Sequence, residues 1–216
     1  DVLEALGVKV DLSPEKVEKC LFETNFGFLF APLFHPAMKY AIGPRREIGV
    51  RTIFNILGPL TNPANAKRQV VGVFTGRLTE SLASVLGKLG AVDAMVVHGE
   101  DGLDEITVCD GTRVSRYRDG KVETYYVTPE DYGFSRADRM ELMGGGKEEN
   151  AGITLSILNG EDGAKRDIVL LNSAAAILVS GHTDEFSTAT EIAKEALDSG
   201  KALEKLNEIR RVTNSL

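Results

Sequence analysis

Apolar residues follow helical spacing at both ends of the chain and strand-like runs in its middle. Residues 1–6 read as the tail of a helix stopped by Gly7. Ser13 stands as an N-cap, with Pro14 at the first helical position and Glu15 in the first turn; Val17, Cys20 and Leu21 then share one face. The apolar run from Phe26 to Ala31 fits either a strand or a buried helix. His35-Pro36 opens a helix carrying Ala37, Met38, Ala41 and Ile42, which Gly43-Pro44 interrupts. Proline is disfavoured inside a helix and welcome in its first turn. A second helix is therefore predicted through Ile48, Val50, Ile53, Phe54 and Leu57, ending at Gly58-Pro59, with Leu60 to Pro63 as a loop.

From Gln69 the pattern changes. Val70 to Phe74 is a β-branched run ending at Gly76. Leu78, Leu82, Val85, Leu86 and Leu89 make a helical stripe closed by Gly90, and Ala94 to Val97 is the next strand. Strand, helix and strand at this spacing form a βαβ unit, hence a parallel pair. Residues 106–128 read as antiparallel, with Asp119-Gly120 as a hairpin turn between 114–118 and 121–126. A mixed sheet follows. The last third is helical: 149–158 with a stop at Asn159-Gly160, a nearly all-apolar buried helix over 167–179, and amphipathic helices over 184–197 and 201–212. The last of these is charged enough to be a solvated surface helix. The expected class is α/β.

A length of 216 residues suffices for a sizeable core. The net charge of -7 argues against non-specific nucleic-acid binding, so a phosphate-bearing ligand needs a local basic site or a metal ion. Cys20 and Cys109 are too few for a disulfide framework, which suits a reducing, cytoplasmic setting. No apolar run approaches the ~20 residues of a membrane span. The chain opens on Asp1 in what reads as mid-helix, as a fragment or processed chain does.

Three clusters offer chemistry. Glu100, Asp101, Asp104 and Glu105 follow directly on a βαβ strand, where ligands of α/β sheets bind. Such carboxylates suit Mg²⁺ shared with substrate phosphates; they equally suit a solvated loop without ligand. Arg45, Arg46 and Arg51 lie near the start of one helix. Arginine recognises carboxylate or phosphate in a two-pronged manner, but positions 45 and 46 point apart, and surface salt bridging accounts for at least two of the three. Met143-Gly144-Gly145-Gly146 precedes a helix, yet Glu148 and Glu149 in its first turn repel an anion, so a structural turn is expected. His35 and His98 have no partner at metal-ligand spacing, and no nucleophile elbow is present.

The stretch Arg51-Thr52-Ile53-Phe54-Asn55-Ile56-Leu57-Gly58-Pro59-Leu60-Thr61-Asn62-Pro63-Ala64 resembles the signature of the anthranilate phosphoribosyltransferases. His35-Pro36-Ala37-Met38, Arg45-Arg46-Glu47, Gly102-Leu103-Asp104-Glu105, Glu149-Asn150-Ala151 and 166–172 recur at family-like spacings, so the resemblance spans the whole chain. It implies the nucleoside phosphorylase/phosphoribosyltransferase-like fold. Residues 1–216 would be the C-terminal α/β domain, with 33–64 a helical segment of the family's small helical domain. It implies transfer of phosphoribose from phosphoribosyl pyrophosphate (PRPP) to the amine of anthranilate, in tryptophan synthesis. By resemblance Arg45 pairs with the anthranilate carboxylate, and His35, Met38, Gly58 and Pro59 line its pocket. Asp104 and Glu105 hold Mg²⁺. No catalytic residue is assigned. The partners implied are the two substrates and, for the whole enzyme, a second copy in a homodimer, with neither nucleic acid nor membrane.

The family's glycine-rich PRPP loop and its Lys-His-Gly-Asn segment do not occur here; both lie upstream of the position matching Asp1. The expectation is an incomplete enzyme with little activity alone. Two other readings stand beside it: a pyrimidine nucleoside phosphorylase, and a non-catalytic nucleic-acid-binding relative of the fold. The acidic pair favours the transferase over both, and the net charge counts against the second.

Overall fold

A computed structural model describes residues 1–35, Glu47 and 54–216. It divides into two compact units. The first comprises Asp1–Ile53, Gly144–Gly160 and Leu197–Leu216; the second comprises Phe54–Met143 and Glu161–Ala196.

In the first unit, helices α1 (Val2–Ala5), α2 (Pro14–Thr24) and α3 (Ala31–Phe34) precede the undescribed stretch. Ser13 stands before Pro14 as the sequence predicts, but its hydroxyl donates to Glu15 Oε2 (2.8 Å) and makes no capping bond to the backbone. Asn25 ends α2 in the left-handed conformation, φ 58°. The apolar run after it forms no strand; residues 26–30 are irregular, and Phe26 and Phe28 pack on the unit's core. That core joins Leu6, Val8 and Val10 to Ala151 of the helix Lys147–Leu158 and to Leu206 and Ile209 of the C-terminal helix Lys201–Ser215. The C-terminal helix is thus not merely a solvated surface element. Its spacing of Leu206, Ile209, Val212 and Thr213 puts four buried residues on one stripe beneath the charged face.

The second unit opens with α4 (Phe54–Leu60), which runs through Pro59 instead of stopping before it. Proline withholds one N–H, and the helix ends one residue later; Thr61 closes the turn, its hydroxyl donating to the Leu57 carbonyl (2.9 Å). A four-stranded sheet follows, in the order β1 (Arg68–Gly72), β2 (Asp93–Gly99), β3 (Thr112–Arg118), β4 (Lys121–Val127). Strands β1 and β2 are parallel, with Val71 opposite Val96; the other pairs are antiparallel. The mixed sheet and the βαβ crossover are those read from the sequence. Asp119 (φ 52°) and Gly120 (φ 78°) both take positive φ at the β3–β4 turn, matching the right-handed twist of the strands.

Strand β2 is buried on both faces: Ala94, Met95, Val96 and Val97 are at most 1% exposed. Successive side chains alternate across a sheet. Ala94 and Val96 join Val71 and Val73 against Leu82, Ala83 and Leu86 of the crossover helix Thr79–Lys88. The helix Ala164–Ser180 packs on β1 and β2. The sequence predicts this nearly all-apolar stretch as a buried helix. It buries Leu170, Leu171, Ala174, Ala175, Leu178 and Val179, whereas Val169 is 37% exposed, so it too is one-sided. Cys20 and Cys109 are both free thiols. No helix among the described residues is long and apolar enough to cross a membrane.

Candidate functional site

The carboxyl ends of β1 and β2 and the start of β3 converge on the acidic loop, residues 100–111. Its four carboxylates divide into two kinds. Asp101 is spent on the loop itself: Oδ2 accepts from the Thr107 hydroxyl (2.8 Å) and Oδ1 from the Leu103 amide (3.3 Å). Gly99, at the end of β2, lets this happen, since a Cβ there would lie 2.5 Å from Asp101 Oδ1. Glu100 lies near Gly76. Asp104 and Glu105 are exposed, and among the described residues neither is engaged by a cation or a side-chain hydrogen bond. Although Glu105 reaches solvent, desolvation by the surrounding protein, followed by the adjacent Asp104 charge, pushes its carboxyl above the ordinary range.

The backbone beneath this pair is tightly held. Gly72, the last residue of β1, abuts the Asp104 carbonyl. On the other side, Asn172 of the helix Ala164–Ser180 accepts from the Ile106 amide (3.0 Å) and donates to the Ile106 carbonyl (2.8 Å) and to its own helix at Ile168 (2.9 Å). Thr107 N–H donates to Thr112 Oγ1 (3.0 Å), pinning the loop to β3. Two adjacent exposed carboxylates on a fixed backbone, with no cation of the described residues against them, suit a hard divalent ion. Among the described residues no group of three acidic, His or Cys side chains gathers. The remaining ligands would then be waters or substrate oxygens, the usual manner of Mg²⁺ binding.

The expected acceptor side is only partly described. Met38 and Arg45 lie outside the described residues, as do Arg46 and Arg51. His35 ends α3 and is half-buried, in the first unit; Gly58 and Pro59 sit in α4, in the second. Gly58 is exposed, and no described residue comes within 4 Å of where a Cβ would be. Pro59 lines a cavity of about 40 Å³ with Leu60, Gln69, Leu86 and Leu89. That volume holds a few waters and no aromatic ring.

Two other features are structural. The glycine run turns into the helix Lys147–Leu158 through Asn150, which accepts from the Gly145 amide (3.0 Å) and donates to its carbonyl (2.9 Å), as expected of a turn. The His98 ring bonds through Nδ1 to the Val73 carbonyl (2.8 Å). At the opposite end of the strands an open groove of about 400 Å³ is lined by Arg116, Arg118, Asp119, Lys121 and Glu123. Both of its arginines are already engaged, Arg116 by Asp93 and Arg118 by Asp184.

Sequence reasoning singles out Asp104 and Glu105 and misses what holds them. Asn172 left one signal, a lone amide in a nearly apolar helix. Gly72 left none, because a close backbone approach has no periodicity.

The family described as "Glycosyl transferase family, a/b domain" matches residues 1–203. The chain is 55% identical over 215 residues to the anthranilate phosphoribosyltransferase of Acetivibrio thermocellus, a match covering 100% of this chain and 62% of that protein. Among solved structures, the anthranilate phosphoribosyltransferase of Thermus thermophilus superposes with a TM-score of 0.92 at 42% identity, over 99% of this chain and 63% of that one. The Saccharomyces cerevisiae enzyme, solved in complex with PRPP and Mg, gives 0.91 at 26% identity, over 100% and 62%. The chain therefore spans less than two thirds of these relatives.

Proposed function

The chain belongs to the glycosyl transferase family, a/b domain, and from that membership we propose that it forms part of an enzyme transferring phosphoribose from PRPP to the amine of anthranilate. The observation that carries this reading is the exposed pair Asp104–Glu105 at the carboxyl ends of the strands, which no cation among the described residues engages. The relatives' names and the Mg in the yeast complex support it. They favour the transferase over the nucleoside phosphorylase reading.

In the proposed reaction the amine nitrogen of anthranilate bonds to C1′ of PRPP. The bond from C1′ to the pyrophosphate oxygen breaks, its electron pair leaves with pyrophosphate, and the amine proton passes to solvent. Asp104 and Glu105 hold Mg²⁺, which when bound neutralises charge on the leaving pyrophosphate. Arg45 pairs with the anthranilate carboxylate, while His35, Met38, Gly58 and Pro59 form the surrounding wall. Of the expected helical segment 33–64, residues 33–53 fall in the first unit and 54–64 group with the sheet in the second; in this reading the first portion belongs to the helical domain that completes the site. Catalysis is then positioning and electrostatics, with no covalent enzyme intermediate. We place the reaction in tryptophan synthesis, in the cytoplasm, with the whole enzyme a homodimer.

The test joins these 216 residues to the segments by which the Acetivibrio thermocellus relative exceeds the match, and follows anthranilate fluorescence with PRPP and Mg²⁺. Arg45→Ala is expected to raise the anthranilate KM roughly tenfold or more, the loss of a charged hydrogen-bonded pair. Asp104→Asn is expected to raise the Mg²⁺ concentration needed for half-maximal rate. Anthranilate turnover with unaltered Mg²⁺ dependence in Asp104→Asn, or phosphorolysis of a pyrimidine nucleoside in its place, would overturn the proposal.

A further inference from the structure

Asp104 and Glu105 need a rigid backbone if they are to present two carboxylates to one ion, yet they lie in a loop without regular secondary structure. The Ile106 amide belongs to the peptide that also carries the Glu105 carbonyl, and that peptide is planar. Asn172 Oδ1 accepts from this amide (3.0 Å), and Asn172 Nδ2 donates to the carbonyl of the next peptide (2.8 Å). One side chain thus fixes two successive peptide planes immediately after the acids. Asn172 is itself tied down by the bond from Nδ2 to the Ile168 carbonyl (2.9 Å), and its helix packs on β1 and β2. Ile106 is 2% exposed, so no solvent would replace the bonds if the amide were lost.

We infer that Asn172 is a positioning residue, fixing the Asp104–Glu105 backbone and thereby setting how tightly the pair holds a divalent cation. This inference rests on the metal role proposed for those acids. Partners bonded directly to ligating side chains are worth about ten- to a hundredfold in metal affinity; Asn172 bonds the backbone beside the ligands and not the carboxylates, so its effect lies at the low end of that range.

The experiment titrates the 216-residue chain with Mn²⁺, read by electron paramagnetic resonance of the free ion, and follows amide hydrogen exchange in the absence of metal. Asn172→Ala is expected to weaken Mn²⁺ binding by about five- to tenfold and to speed exchange at Ile106 while the β3 amides stay protected. Asn172→Asp keeps the acceptor for the Ile106 amide and loses the donor to its carbonyl. Its extra negative charge alone would tighten cation binding, so weaker binding in this variant is expected only if geometry decides. Ser115→Ala removes the buried bond from β3 to Thr79 of the crossover helix and the partly buried bond to Thr124 of β4, neither of which touches the acids, and controls for general destabilisation; its Mn²⁺ affinity should match the unaltered chain. Mn²⁺ binding that is abolished by Asp104→Asn but stays within about twofold of the unaltered chain in Asn172→Ala overturns the positioning role alone. Binding that is absent, or indifferent to Asp104→Asn, overturns the metal role of the acids and this inference with it.

Discussion

A Cβ added to Gly72 would lie 1.6 Å from the carbonyl oxygen of Asp104 and 2.6 Å from its carbon. The obstacle is backbone and cannot swing aside, so either β1 or the acidic loop must move. Gly72→Ala is therefore expected to destabilise the chain by about 1–3 kcal/mol, the usual range for overpacking, and to weaken Mn²⁺ binding at Asp104–Glu105. Denaturant unfolding together with the Mn²⁺ titration checks this. A Gly72→Ala chain of unaltered stability would show that the contact yields freely.

The sequence shows the sheet more clearly than the site. The β-branched runs, the crossover stripe and the Asp119-Gly120 turn each carry a local signal, because period and positive φ depend on near neighbours. The two acids are visible for the same reason, as charged residues following a strand. Asn172 meets Ile106 across 66 positions, and Gly72 meets Asp104 only after β1 and β2 pair. Contacts of that kind arise from packing: Asn172 shows only as a lone amide in an apolar stretch, with nothing to name its partner, and Gly72 leaves no local pattern. Pro59 shows the converse: a strong local stop signal is overrun by one residue, because a helix tolerates one missing N–H near its end.

Asp93 and Arg116 form a two-pronged ion pair at the start of β2, with Nε at 3.0 Å and Nη2 at 2.6 Å from the two carboxylate oxygens. The side chains are 3% and 15% exposed. Asp93→Ala strands the guanidinium and is expected to cost about 3–5 kcal/mol. Replacing both at once, Asp93→Val with Arg116→Met, is expected to cost far less, since an apolar pair of similar volume removes both desolvated charges. Chemical denaturation of the single and double variants decides this; equal losses in both would mean that the pair stabilises in its own right.

Gly87 sits inside the crossover helix, where alanine is normally favoured by about 1 kcal/mol. Here a Cβ would lie 2.2 Å from the Tyr117 ring, which packs on the same apolar cluster. Gly87→Ala is thus expected to destabilise the native chain and to stabilise a Tyr117→Val background, where the ring is gone. Unfolding midpoints of the four chains form the check, and a stabilising Gly87→Ala in both backgrounds would sink the argument.

Tyr132 stacks on Phe186 with ring centroids 3.8 Å apart. Burial first, then Tyr125 and the Asp131 charge, push its phenol up to about 12. The ordinary value, about 10, holds in the unfolded chain. A phenol whose pKa is raised by folding binds its proton more tightly in the folded state. Its contribution is therefore complete below pH ~10 and is lost as the pH climbs toward ~12. Burial also raises the Tyr125 phenol, so some alkaline loss remains without Tyr132. Tyr132→Phe keeps the stacked ring and removes the proton, and should lose less stability than the unaltered chain between pH ~10 and ~12. Denaturant midpoints measured at pH 8, 10 and 11 test this, and parallel pH profiles for the two chains would show that Tyr132 does not couple to folding.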